Sequence, residues 1–394
     1  MNNLIKKAFQ LCCFLIIILI PFYIQADQNI TIALVNNFSD FRSPCGDPKG
    51  ENFLNALNLA LEDFLKDHKK YSDQIILRKY DYGNSPLNTE RITLEAVRSD
   101  AVALIGYPCS SFALLAAPIA EAHNVAMITP SATIDSLTES REYVYRASFR
   151  DEDQAKVMAE FLANDLDKKK AVVIVNQNYP YCTNLSEQFQ HYFKKYGGKI
   201  VKVFNTLSSQ KSYNKEVNEM NHLSYDVVFI PNHEMESATM VKEIYNLSME
   251  TTVAGGDGWG NLYGYIFPAI VGNKKIDAYA IAHWNRDSVD TSSKEFQKRY
   301  YNRFGFYPND NSALAYDAMS LLLHAISKAK KINRKEINAE LKSIRSHFGV
   351  TGRFSYNRGN GTPSKNVYIV KYPQPNLSHE GDRRFEHYKS VIVK

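Results

Sequence analysis

The sequence predicts an α/β protein of two doubly wound parallel-sheet lobes joined by a multi-strand hinge, and three observations predict it. Short apolar, β-branched runs alternate with longer amphipathic ones from Ile30 onward, which is the βαβ rhythm of a parallel sheet. That rhythm restarts after residues 143–147, dividing the chain into two such units. No stretch rich in Gly, Pro or Ser separates the halves, so the lobes share passages of chain instead of hanging on a loose tether.

In the first unit the apolar runs place strands at 30–35, 74–80, 101–105 and 125–128, with amphipathic helices at 51–64, 89–97 and 112–122 between them. Ser110 and Ser111 open the third helix, and Pro118 lies inside it. Pro130 turns the chain out of the sheet and disfavours a helical Thr129. In the second unit, helices at 152–166, 184–196, 214–223 and 234–247 alternate with strands at 171–175, 200–204, 227–230 and 251–254. Right-handed crossovers then put the carboxyl ends of each sheet's strands on one edge, where open α/β sheets bind ligands. The expected division is lobe 1 over 27–147, lobe 2 over 148–276, a second part of lobe 1 over 277–349, and a return to lobe 2 with a C-terminal tail over 350–394. Residues 277–283 and 350–354 are the candidate return passages.

At 394 residues, 44% hydrophobic and 23% charged, the composition is globular and sufficient for two cores. The first 26 residues read as a signal peptide: Lys6 and Lys7, an apolar run over 11–24 broken by Pro21, then Ala26 before the cut. An uncleaved membrane anchor is the alternative. Cys12 and Cys13 stand at the start of the apolar run, which does not suit a lipid-modified cysteine. Cleavage removes two lysines and no acid, so 47 basic residues become 45 against 42 acids and the net charge falls from +5 to +3. That is too mild to call for a nucleic-acid partner. Cys45, Cys109 and Cys182 would remain, an odd number. A Cys45–Cys109 disulfide is a candidate, since both follow strands of the first lobe and export permits it.

The run Ile105-Gly106-Tyr107-Pro108-Cys109-Ser110-Ser111 and the run Thr129-Pro130-Ser131-Ala132-Thr133 each lie just past a strand end. An anion at Ser110 and Ser111 would meet hydroxyls, free helix N–H groups and the positive end of the dipole. Thr133 can donate through its hydroxyl and N–H while the Ser131 carbonyl accepts from an ammonium; the plainer alternative is a cap on the segment 134–137. In the other lobe, Gly255-Gly256-Asp257-Gly258-Trp259-Gly260 ends a strand in flexible backbone with one carboxylate at its tip. Asp257 is the candidate ammonium partner, against the alternative of an Asp capping the next turn. Tyr179 and Tyr181 follow the strand at 171–175, with Tyr181 the one expected to face the cleft, and His233 and Glu234 follow the strand at 227–230. The acidic cluster Asp151, Glu152 and Asp153 is explained by helix-dipole preference. No nucleophile elbow, zinc-protease, C-x-x-C, P-loop or dinucleotide motif is present, and the ten histidines show no metal spacing. No enzyme, cofactor or metal is therefore expected.

With these residues assembled, the chain resembles the type I periplasmic binding proteins, in particular the branched-chain amino-acid binding family of ABC transporter substrate-binding proteins. The resemblance runs from about residue 30 to 370. It rests on Ile105-Gly106 with Ser110-Ser111, the segment 116–122, Thr129 to Thr133, Gly255 to Trp259, Ala315-Tyr316-Asp317-Ala318, and Val350-Thr351-Gly352-Arg353. It implies that Ser110 and Thr133 bind a ligand carboxylate, that the Ser131 carbonyl and Asp257 hold an ammonium, and that Tyr181 and His233 contribute from the second lobe. The protein it implies is a periplasmic, monomeric receptor that closes over a small amino-acid-like ligand and delivers it to an ABC transporter permease. A sensing subunit of the same fold that signals without transport is the alternative. The chain departs from the family at Asn232-His233-Glu234-Met235-Glu236, and Tyr107 and Phe112 are expected to add bulk beside Ser110.

Overall fold

Five strands that run parallel from Ile30 to Arg146 form the first sheet. A computed structural model of the chain describes residues 29–40, 50–247, 251–260, 276–286 and 290–371, and the backbone of a strand over 386–393. The expected signal segment and Cys45 lie outside the described residues. Among those described, no helix is long and apolar enough to cross a membrane.

The first sheet comprises β1 (Ile30–Asn36), β2 (Ile75–Asp81), β3 (Ala103–Gly106), β4 (Ala126–Thr129) and β5 (Val144–Arg146), in the order β2-β1-β3-β4-β5. β1 is buried at every position, as a central parallel strand covered on both faces must be. One face is packed by α1 (Glu51–Asp67), α8 (Thr291–Phe304), α9 (Asp310–Lys328) and α10 (Arg334–Ser343), the other by α2 (Pro86–Arg98) and α3 (Ser110–Ala122). Side-chain caps start several of these: Ser85 accepts from Asn88 N–H before α2, and Asn309 from Ser312 N–H before α9.

The second sheet holds β6 (Lys170–Asn176), β7 (Lys199–Thr206), β8 (Val227–Ile230), β9 (Thr252–Gly255), β10 (Asp277–Ala282), β13 (Lys365–Lys371) and β14 (Glu386–Val393). Its order is β14-β13-β10-β9-β8-β6-β7, with β13 and β14 antiparallel additions to a parallel core. α4 (Asp151–Glu160), continued by a wider π turn over Phe161–Asp165, packs with α5 (Pro180–Lys195) on one face. α6 (Asn214–Met220) and α7 (Glu234–Asn246) cover the other. Each fully buried Leu, Ile or Phe in these layers contributes on the order of 2 kcal/mol.

Two expected boundaries move. Asp277–Ala282, assigned from the sequence to the second part of lobe 1, pairs with β9 and β13 inside the second sheet. The chain leaves lobe 2 after Ala282. The hairpin β11 (His347–Gly349) with β12 (Gly352–Phe354) belongs to lobe 1, because Val350, Phe354 and Tyr356 join its core. The final crossing therefore follows Tyr356 and enters β13 at Lys365.

Three passages thus join the lobes, and the first and the third are bonded to each other. Arg146 N–H donates to the Gly361 carbonyl at 2.9 Å, and Tyr356 Oη donates to the Arg146 carbonyl at 3.0 Å. Asp317, buried on α9, accepts from the N–H groups of Val350 (2.7 Å) and Thr351 (2.9 Å) and from the Thr351 hydroxyl (2.5 Å), and the buried Lys365 ammonium donates to Thr351 Oγ1. The sequence segments 315–318 and 350–353 are therefore one structural unit at the hinge.

Candidate functional site

A cavity of about 50 Å³ lies between the carboxyl edges of the two sheets. Lobe 1 supplies Pro108, Ser110, Ser131, Thr133, Asp310 and Asn311; lobe 2 supplies Tyr181, His233, Glu234, Asp257, Gly258 and Gly260. His283 lines it from the passage that leaves β10. The lobes touch beside it, where Asp135 N–H donates to Asn184 Oδ1 at 3.2 Å.

On the lobe 1 side, β3 ends at Gly106, where a Cβ would stand 2.0 Å from the Val35 carbonyl oxygen. Tyr107 follows with φ +57°, its ring in the core and its hydroxyl 2.7 Å from Thr93 Oγ1. This turn carries Pro108 and Ser110 to the sheet edge. Tyr107 stacks on Tyr82 and Phe112 packs tilted against the same ring inside the lobe, so the bulk expected beside Ser110 is directed into the core and away from the cavity. α3 begins at Ser110 with no side chain capping it, which leaves first-turn N–H groups for an anion or water. Ser111 is half-buried and lies off the cavity wall.

The second loop is fixed to the first and then clamped from behind. Thr129 Oγ1 donates to the Tyr107 carbonyl at 2.9 Å, and Ser131 Oγ to the Pro108 carbonyl at 3.2 Å. Fully buried Arg146 donates to the carbonyls of Ala132 (3.3 Å), Thr133 (2.7 Å) and Ile134 (2.8 Å). Burial pulls the Arg146 guanidinium down to about 10, still charged at neutral pH. Ala132 has its carbonyl on Arg146 and Ser148 and its N–H on Thr129 Oγ1; it supports the loop and is not on the wall. Thr133 and Ser110 are 1% and 4% exposed, yet both face the cavity.

On the lobe 2 side, β9 runs into Gly256 and Asp257. A Cβ on Gly256 or Gly258 would stand 2.7 or 2.8 Å from the Tyr181 hydroxyl, so only glycine lets that ring reach Asp257. Asp257 Oδ1 accepts from Gln154 Nε2 (2.6 Å) and Tyr181 Oη (2.9 Å), and Oδ2 lies 2.9 Å from His283 Nε2. Gln154 closes the ring, its Oε1 accepting Asp257 N–H at 2.9 Å. Burial alone would raise this carboxyl; the bonds from His283, Gln154 and Tyr181 outweigh it and hold the group below the usual carboxylate range. A carboxylate offers about four acceptor positions, and three are taken, so Oδ2 keeps one for a cationic donor. His233 stacks on Tyr181 at 5.1 Å. Burial pushes its imidazole down to about 4 against the pull of Asp257, so it is neutral at pH 7.

Five residues of this site escaped the sequence reading: Gln154, His283, Asp310, Asn311 and Arg146. Asp151 and Asp153, attributed there to a helix dipole, are 0% and 4% exposed. Asp151 N–H donates to the Thr133 carbonyl at 2.9 Å and its Oδ1 accepts from Gln154 at 3.0 Å, while Asp153 pairs with Arg358 at 2.8 Å. They brace the hinge under the cavity. Cys109 is disulfide-bonded and Cys182 is a buried free thiol; Cys45 lies outside the described residues. Among those residues, no group of three or more His, Cys, Asp or Glu is arranged to hold a metal.

The family model described as periplasmic binding protein matches residues 29–376. The chain is 24% identical over 215 residues to the Leu/Ile/Val-binding protein BraC3 of Rhizobium johnstonii, spanning 54% of this chain and 58% of that relative, little more than half its length. It is 22% identical over 333 residues to a leucine-, isoleucine-, valine-, threonine- and alanine-binding protein of Pseudomonas aeruginosa, covering 82% and 84% of the two chains. Among solved structures, the leucine binding protein LivK of Thermotoga maritima superposes with a TM-score of 0.79 at 22% identity, over 92% of this chain and 98% of that one. LivJ of Streptococcus pneumoniae in complex with isoleucine gives 0.79 at 22%, over 93% and 99%.

Proposed function

This chain belongs to the periplasmic binding protein family, and from that premise we propose that it is an extracytoplasmic solute-binding protein that captures a small amino acid between its lobes and delivers it to an ABC transporter. The observation that carries this reading is Asp257, a buried carboxylate kept ionised by three donors and left with one acceptor position, on the opposite wall from Ser110, Ser131 and Thr133. A zwitterion enclosed there has a partner for each charge, and without both partners enclosure would cost several kcal/mol. Ser110 and Thr133 take the carboxylate; Asp257 and the Ser131 carbonyl take the ammonium. No chemistry is performed on the ligand, so the protein acts as a carrier and not as an enzyme. Closure of the lobes is what the permease reads, and ligand biases closure only by its differential affinity for that state.

A melting-temperature screen against free amino acids and small carboxylic acids tests this. A ligand at a hundred times its dissociation constant stabilises the native state by about 2.7 kcal/mol, a shift of several degrees. An amino acid producing that shift supports the reading. A shift from carboxylic acids lacking an amino group, with none from any amino acid, overturns it.

A further inference from the structure

We propose that Asp135 and Asn184, which lie outside the cavity, form a latch between the lobes that sets how long any ligand stays enclosed; this rests on the closing-cleft reading above. Neither residue lines the cavity. Asp135 opens the short 3-10 turn Asp135–Leu137 on lobe 1, and Asn184 is the fifth residue of α5 on lobe 2. The residue before the turn, Ile134, has no side chain able to cap it. The Asn184 amide oxygen supplies that cap from across the cleft, accepting Asp135 N–H at 3.2 Å. In return Asp135 Oδ1 accepts Glu152 N–H, in the first turn of α4 on lobe 2, at 3.0 Å. α3 approaches both this turn and α5, so the contact lies in the seam between the lobes.

Asparagine inside a helix is less favourable than alanine. What Asn184 returns is a bond to the other lobe, and that bond exists only while the lobes touch. The Asp135 side chain contributes less. It is buried, its Oδ2 has no partner among the described residues, and burial raises its carboxyl against the pull of Glu152 N–H, Arg150 and Arg146. Desolvation thus offsets much of the bond to Glu152, and the backbone N–H held by Asn184 carries the latch. The same turn is tied to the carboxylate side of the site. Thr133 stands two residues before Asp135, and Ile134 N–H donates to Ser110 Oγ at 3.4 Å, so a ligand seated on Ser110 and Thr133 holds the loop that presents the turn to Asn184. A bond made in the closed state alone leaves entry untouched; it raises the closed population, and with it the apparent affinity for every ligand by one factor.

Stopped-flow association and release of leucine, threonine and alanine, on the purified chain and on Asn184→Ala, test the latch. Each amino acid that binds should leave the variant about two- to tenfold faster, the effect of one net hydrogen bond, by the same factor for each and with association rates unchanged. The ligand-free melting temperature should hold or rise, because alanine favours α5. A melting temperature that falls along with faster release marks a role within lobe 2 and overturns the latch. So do an unchanged release rate, an affinity loss taken up by slower association, or factors that differ among the amino acids. If none of the three binds the parent chain, the amino-acid reading fails while small-angle scattering of the ligand-free chains still decides the latch: Asn184→Ala should be the more expanded of the two, and equal radii of gyration overturn it.

Discussion

The two walls of the cleft are built by different means. On lobe 1, Ser110, Ser131 and Thr133 lie within 24 positions of one another in the chain, on two loops that leave adjacent strands, and they offer hydroxyls and backbone groups whose chemistry needs no charge. On lobe 2, one ionised side chain, Asp257, is tuned by Gln154, Tyr181 and His283 from three other elements. Neutral groups assembled locally are insensitive to pH and spread their effect over several residues. A charged wall assembled from distant elements concentrates its effect in one residue, and that residue depends on its neighbours.

Mutation can break or sharpen this contrast. Asp257→Ala should have the largest effect: removing one partner of an enclosed charge pair costs about 3–5 kcal/mol, about 150-fold to 5,000-fold in calorimetric affinity, with the melting temperature checking that the fold persists. Ser110→Ala and Thr133→Val should each cost about 1–3 kcal/mol of binding, because the α3 N–H groups remain. A loss at Ser110 equal to that at Asp257 would erase the asymmetry. Tyr181→Phe should cost about 1 kcal/mol, since Gln154 and His283 still hold the carboxylate.

Acid should act on the lobe 2 side and at the hinge. His233 and His347 are both pushed down to about 4 by burial, so the folded chain refuses protons that the unfolded chain accepts below its ordinary histidine value. Stability should decline as pH falls from about 6.5 toward 4 and level off below. Asp257, held low, keeps its contribution through that window and loses it only at more acidic pH. Chemical denaturation at half-unit steps between pH 7.5 and 4.5, on the parent chain and on a His233→Asn/His347→Gln variant, isolates this from the buried carboxyls of Asp310 and Asp317, which burial raises and which act in the opposite sense; a variant with the same profile as the parent would contradict the burial of both imidazoles.

Much of the fold was legible in the sequence because parallel strands buried on both faces are unbroken apolar runs, as in β1, β6 and β8. The rhythm was less legible after residue 277. There β10 was taken for a hinge strand and α8, α9 and α10 were not resolved; α9 carries thirteen buried residues over 19 positions, so it has little of the polar face that marks an amphipathic helix. The lobe 1 wall was readable from strand-end serines and threonines. Asp257 was readable because glycines surround it, and Tyr181 from its position after β6. Gln154 and His283 were not, since an amide inside an acidic helix turn and a histidine after a misassigned strand carry no local signature. One signal was present: Asp277–Ala282 is a buried apolar run, and the residue past a parallel strand's carboxyl end is where binding groups gather.

The most direct test of the central claim is a crystal structure of the chain with its tightest amino acid bound. The ligand's ammonium is expected within about 3.2 Å of Asp257 Oδ2, with its carboxylate on the hydroxyls of Ser110 and Thr133. An amino acid bound with its ammonium turned away from Asp257, or seated anywhere other than this cleft, would contradict the account.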